Sequence, residues 1–74
     1  MIDLSNIKIV LLETTHPGNI GSVARAMKTM NFSNLYLVNP LCQINEISFS
    51  MASNARDVLY NAKIYDNLEE VTDD

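Results

Sequence analysis

One cysteine, one histidine, two glycines and two prolines in 74 residues leave few of the devices with which small proteins staple themselves together. The lone Cys42 excludes a disulfide within the chain, and with only His16 beside it no Cys/His zinc cage can be assembled. At this length conformational entropy nearly cancels the hydrophobic gain, so an unstapled chain is marginal on its own. Cys42 has no His or Asp near it in sequence and reads as a small apolar residue without chemistry. Long apolar runs are missing as well. The stretch Ile9 to Leu12 is far short of the roughly 20 residues of a membrane-spanning helix, and Met1-Ile2-Asp3-Leu4-Ser5 lacks the basic region of a signal peptide. The chain reads as cytoplasmic. It contains no repeat, low-complexity tract or second domain, so residues 1–74 are taken as part of one domain.

A basic surplus, the usual footprint of a polyanion binder, is also lacking, since the formal net charge is −4. Five of the nine acids, Asp66, Glu69, Glu70, Asp73 and Asp74, fall in the last nine residues, which leaves four acids and five bases in residues 1–65. The body is nearly neutral, a balance that permits a small RNA contact without requiring one.

What is present is an alternation of strand-like and helix-like segments. Ile7 to Leu12 is a short β-branched apolar run suited to a strand buried on both faces of a parallel sheet. Pro17 and Gly18 punctuate the loop that follows, and Asn19 is a suitable N-cap for a helix beginning at Ile20. Ile20, Val23, Ala24, Met27 and Met30 then form one apolar stripe, with Ser22, Arg25 and Thr29 on the opposite, open face. Asn31 suits the left-handed residue that ends a helix, with Phe32 packing back on Met27. Leu35 to Val38, closed by Asn39-Pro40, makes a second strand, so the first three elements compose a right-handed βαβ unit and the fold class is α/β with a parallel sheet. A weaker helical stretch covers Ile44 to Ala55, a short strand is expected around Ala62 to Tyr65, and Asp66 to Asp74 resembles the opening turn of a helix capped by Asp66 or Asn67. Three strands with open edges and a last element that has only begun imply an incomplete domain.

Ligands of open α/β sheets bind beyond the carboxyl ends of the strands, which places the candidate site in the Glu13 to Gly21 loop. Gly18 and Gly21 allow close approach to the backbone, and unpaired amides in the first helical turn favour an anion. G-x-x-G alone is a weak motif, without the third glycine of a dinucleotide fingerprint or the Lys-Ser/Thr of a P-loop. Asn19, Ser22 and Arg25 converge on one face; the plainer alternative is that Asn19 caps, Ser22 satisfies an amide and Arg25 with Lys28 is solvated surface. Glu13 is a possible general base, and His16 is left without a role.

The segment Glu13-Thr14-Thr15-His16-Pro17-Gly18-Asn19-Ile20-Gly21-Ser22-Val23-Ala24-Arg25-Ala26-Met27-Lys28 resembles motif one of the SpoU branch of the SPOUT methyltransferases, and Leu35 to Pro40 and Ala55 to Val71 resemble the segments that follow it there. Asn31 and Asn54 stand where that family usually has glycine, substitutions that left-handed backbone angles tolerate in Asn. The resemblance implies the amino-terminal part of an α/β-knot domain without its knot, in an enzyme that methylates ribose 2′-hydroxyls of RNA, with tRNA anticodon-loop pyrimidines as the nearest substrate. It implies that Asn19 and Arg25 are catalytic, that Ser22 assists, and that Glu13, Gly18 and Gly21 lie on the substrate side. It further implies S-adenosylmethionine as methyl donor, bound in a carboxyl-terminal knot that also builds much of a homodimer interface. None of residues 1–74 is assigned to that donor pocket, and no metal or membrane partner is implied. A guanidinium stays protonated in proteins, so Arg25 is expected to steady a developing alkoxide or a neighbouring phosphate. The alternatives are a piece that docks RNA or a homologue without catalysis, and an inert remnant.

Overall fold

Leucine and β-branched residues at alternating positions, interrupted by helical spacing, produce a parallel sheet with crossover helices. The computed structural model describes residues 7–72, and the readings made for Met1 to Ser5, Asp73 and Asp74 lie outside that range. The order is β1 (Lys8–Leu12), α1 (Pro17–Thr29), β2 (Asn34–Val38), α2 (Glu46–Ala52), α3 (Arg56–Tyr60), β3 (Lys63–Tyr65) and α4 (Leu68–Thr72). All strand pairs are parallel in the order β1-β2-β3, with Lys8 opposite Asn34, Leu12 opposite Val38, and Val38 opposite Tyr65. The α/β class and the three expected strands are therefore present.

The pleat sorts the strand residues between two unequal layers. On one face Leu35 and Leu37 of β2, flanked by Ile9 and Leu11 of β1, pack against Ile20, Ala24 and Met27 of α1 and against Ala52, Ala55, Val58 and Leu59. On the other face Tyr36 and Val38 meet Val71 of α4, with Tyr65 stacked on Tyr36 at a ring separation of 5.7 Å. The ammonium groups of Lys8 and Lys63 lie 5.3 and 5.6 Å from the Tyr36 ring centre. Burial on both faces belongs to β2. The expectation that β1 is buried on both faces is corrected: α4 packs mainly on β2 and β3, reaching β1 through the Lys8 ammonium on the Val71 carbonyl, and Val10 and Leu12 are exposed.

Local physics accounts for most boundaries. The end of α1 follows the expectation closely: Asn31 has φ 63°, its N–H donates to the Lys28 carbonyl at 3.1 Å, and the Phe32 N–H donates to the Met27 carbonyl at 2.8 Å. This is the Schellman pattern. Met30, expected in the buried stripe, is instead the C-cap and is 57% exposed, because the helix has already turned away from the sheet. The start of α1 is also corrected. Pro17 occupies its first turn with His16 as N-cap, and the Asn19 N–H donates to the His16 carbonyl at 3.0 Å, so Asn19 lies inside the helix. Proline fits there because its missing N–H would have had no partner in the helix.

The weak helical stretch holds α2 alone, and a second short helix, α3, which the sequence reading did not anticipate, precedes the expected strand. The break falls at Ser53, whose φ is 57°; the left-handed angle expected at Asn54 is taken by its neighbour. Asn45 caps α2 by accepting from the Ile47 and Ser48 amides, while Ser48 Oγ accepts from the Asn45 amide, a reciprocal capping box. In α4, Asn67 accepts from the Glu70 amide at 3.1 Å, which settles the cap between Asp66 and Asn67 in favour of Asn67.

Candidate functional site

Parallel strands bring their carboxyl ends to one edge, and a backbone ladder continues past them. The Glu13 N–H donates to the Val38 carbonyl at 2.9 Å, the Asn39 N–H to the Tyr65 carbonyl at 2.7 Å, and the Leu41 N–H to the Thr14 carbonyl at 2.9 Å. The exit residues of β1 and β2 are thereby each tied to the adjoining strand. Glu13 and Asn39 adopt left-handed φ values of 52° and 45°. Between their side chains, Asn39 Nδ2 donates to Glu13 Oε2 at 3.2 Å.

Helix α1 rises from this edge with its two glycines in different circumstances. A Cβ built on Gly21 would stand 2.0 Å from the Ser48 carbonyl oxygen and 2.9 Å from Met51 Cβ, so α2 crosses directly over that residue. Ser48, fully buried, fixes the crossing by donating from Oγ to the Pro17 carbonyl at 2.8 Å. At Gly21, where the sequence suggested the close approach of a ligand, the backbone that approaches is that of α2. At Gly18 a Cβ would meet Ile47 Cγ2 at 3.5 Å and Met51 Cγ at 3.7 Å, ordinary contacts that leave room for a methyl group.

Asn19, Ser22 and Arg25 recur at intervals of three along the exposed side of α1. None of their side chains has a hydrogen bond or ion pair among the described residues. Lys28, one residue further along that row, differs: its ammonium donates to Asp57 Oδ2 at 2.8 Å. The Lys28 hydrogen bond holds the Asp57 carboxyl below its ordinary value against an opposing desolvation, with the Lys28 charge and backbone amides adding to the lowering. The Arg25 guanidinium thus keeps its donors free while the neighbouring lysine is neutralised.

The structure brings Asn19, Ser22 and Arg25 together on one face of α1, puts Gly18 in the same helix's first turn and places Glu13 at the end of β1, engaged by Asn39. His16 caps α1 through its backbone, with no side-chain capping bond. Cys42 is half-buried at the margin of the core. Two contributors escape a reading by residue type. Ser48 is signalled only by its i, i+3 spacing from Asn45, and Asn39 only by the tolerance of Asn for left-handed angles at a strand end. No three His, Cys, Asp or Glu side chains gather as metal ligands among the described residues, and no helix is long and apolar enough to cross a membrane.

Comparison with known proteins adds chemistry to this geometry. The profile of the SpoU rRNA methylase family matches residues 6–74. A tRNA (cytidine/uridine-2′-O-)-methyltransferase TrmJ of Salmonella typhimurium is 57% identical over 67 residues, which is 90% of this chain and 28% of the relative. The TrmJ of Sodalis glossinidius is 55% identical over the same length, 26% of its own chain. Among solved structures, a methylase family protein of Haemophilus influenzae superposes with a TM-score of 0.92 at 46% identity, over all of this chain and 30% of that one. The TrmJ of Z. mobilis superposes with a TM-score of 0.84 at 32% identity, over 90% of this chain and 30% of its own. The chain thus spans little more than a quarter of the length of the curated relatives it matches.

Proposed function

Because the chain belongs to the SpoU rRNA methylase family, we propose that it forms the ribose-side half of a site that transfers methyl from S-adenosylmethionine to a ribose 2′-hydroxyl of tRNA. A pyrimidine of the anticodon loop is the proposed position. The fold and its relatives support the reaction class, and the open face of α1 supports the division of labour within it.

S-adenosylmethionine supplies an electrophilic methyl group. None of residues 7–72 is assigned to its binding. The proposal places the donor pocket and the homodimer interface in the remainder of a full-length enzyme, in the cytoplasm.

These residues act on the acceptor. As a 2′-hydroxyl becomes a nucleophile, negative charge builds on its oxygen, and fixed donors aimed at that charge lower the barrier without reorganising. Arg25 is permanently charged and exposed, with no partner among the described residues. Its guanidinium steadies the developing alkoxide or the adjacent phosphate. Ser22 and Asn19 offer neutral hydrogen bonds to the ribose from the same face, about one and two turns closer to the strand ends. Gly18 leaves the first turn open to substrate, and Glu13 accepts from a ribose hydroxyl. Gly21 is given a packing role beneath α2.

The carrying observation is the unpartnered Arg25 guanidinium beside Asn19 and Ser22. The test is methyl transfer to a tRNA transcript by the relatives' length of protein bearing these residues. Arg25→Ala should slow ribose methylation about 100- to 1,000-fold with tRNA affinity largely retained, and normal turnover in that variant would overturn the catalytic assignment. Retention of tRNA by the unsubstituted protein without methylation would favour a binding role instead.

A further inference from the structure

We propose that Asn39 is a positioning residue for this site, holding the Glu13 carboxylate by one oxygen so that the other is presented to a substrate hydroxyl. The inference rests on the ribose-methylation reading above and names a residue that the motif around Arg25 does not contain.

The geometry of the two strand ends carries it. Glu13 and Asn39 are the first residues beyond β1 and β2, Leu12 pairs with Val38, and both exit residues are left-handed. Asn accepts such angles readily, whereas a glutamate held there is uncommon and requires its surroundings to hold it. Those surroundings are visible. The amide of each residue is bound by the last carbonyl of the adjoining strand, Glu13 to Val38 and Asn39 to Tyr65, and the 3.2 Å bond from Asn39 Nδ2 to Glu13 Oε2 closes the arrangement across the strands. Core packing does not impose this bond, because both side chains are exposed. An exposed hydrogen bond contributes little to stability, so stability gives no account of two consecutive strand exits in left-handed geometry. Positional control does give one. With Oε2 engaged, the carboxylate loses rotational freedom, and the lone pairs of Oε1 are left to accept from a ligand at the strand ends. No cation among the described residues pairs with Glu13, so its charge is not spent on a salt bridge.

The experiment uses the full-length enzyme with S-adenosylmethionine and a tRNA transcript. Asn39→Gly keeps the left-handed backbone while deleting the amide, so a folding defect is not its expected outcome. It should lower kcat/KM about 5- to 10-fold, chiefly through KM, the size of one charge-assisted hydrogen bond. In a Glu13→Ala background the same substitution should cost nothing further. The exchange Glu13→Gln with Asn39→Asp reverses donor and acceptor, restores the bond and moves the charge to position 39. It should leave the Tm at that of the unsubstituted enzyme without recovering kcat/KM. Equal losses from Asn39→Gly in both backgrounds, no loss in either, or full recovery of kcat/KM in the exchange would overturn the positioning role while Arg25→Ala still tests the reaction. Absence of ribose methylation by the unsubstituted enzyme would remove the reading itself and this inference with it.

Discussion

The buried side of α1 is filled to contact, whereas its open side keeps three polar groups without partners. Ile20 and Ala24 are wholly enclosed and Gly21 lies against the Ser48 carbonyl, while on the other side of the same helix Asn19, Ser22 and Arg25 are exposed. The difference teaches that the motif from Glu13 to Lys28 carries two separable instructions. One fixes the helix to α2 and the sheet; the other leaves donors uncommitted at the strand ends. Substitutions on the two sides should therefore move different observables.

The largest expected effect is on activity alone. Arg25→Ala should lower kcat by about 100- to 1,000-fold in the full-length enzyme, as loss of a preorganised donor to a developing oxyanion does. Its Tm should hardly change, since an exposed side chain without partners contributes within about 0.5 kcal/mol; a large fall in Tm would merge the two sides into one. On the buried side, Gly21→Ala should reduce stability by about 3 kcal/mol in chemical denaturation, because the added Cβ collides with backbone that cannot rotate away. A stable Gly21→Ala protein would show that α2 slides freely. Ser48→Ala deletes the hydroxyl that accepts from Asn45 and donates to Pro17, at an expected cost of about 1–3 kcal/mol. Gly18→Ala sharpens the comparison with the opposite sign: its Cβ has room and the helix gains, so stability should rise by about 0.5–1 kcal/mol.

The smallest effect concerns the one member of the row with a committed charge. Asp57 is held below its ordinary carboxyl range in the fold, so its pairing with Lys28 stabilises the native state above the unfolded value and is lost as pH falls through the lowered one. Asp57→Asn should flatten that part of the acid limb of Tm against pH below about 4, with no change at neutral pH beyond what a solvent-screened pair gives. An unchanged acid limb would mean that Lys28 is as uncommitted as Arg25.

Much of this was legible because it is local. The apolar stripe of α1, the runs that became β1 and β2, and the left-handed Asn31 with Phe32 folding back on Met27 each depend on residues within one or two turns. What was misread was contested between neighbours. Asn19 is the better N-cap type, yet Pro17 starts the helix; Asn54 is the better left-handed residue, yet Ser53 bends. What was unreadable is long-range. The Asn39 to Glu13 bond spans 26 positions, the contact of Ser48 with Pro17 spans 31, and the meaning of Gly21 exists only once α2 has been placed over it. Of the site, the open face of α1 was visible in its spacing, and the strand-end clasp was not.

The crossing over Gly21 has a consequence at the level of the gene. Every amino acid reachable from a glycine codon by one base change carries a β-carbon, so each missense change at position 21 drives an atom into the Ser48 carbonyl. The codon has no harmless coding neighbour, and drift there is confined to synonymous change unless α2 moves first. Position 18, three residues away on the same helix, is under no such steric confinement, since a β-carbon there meets only side chains at ordinary contact distance.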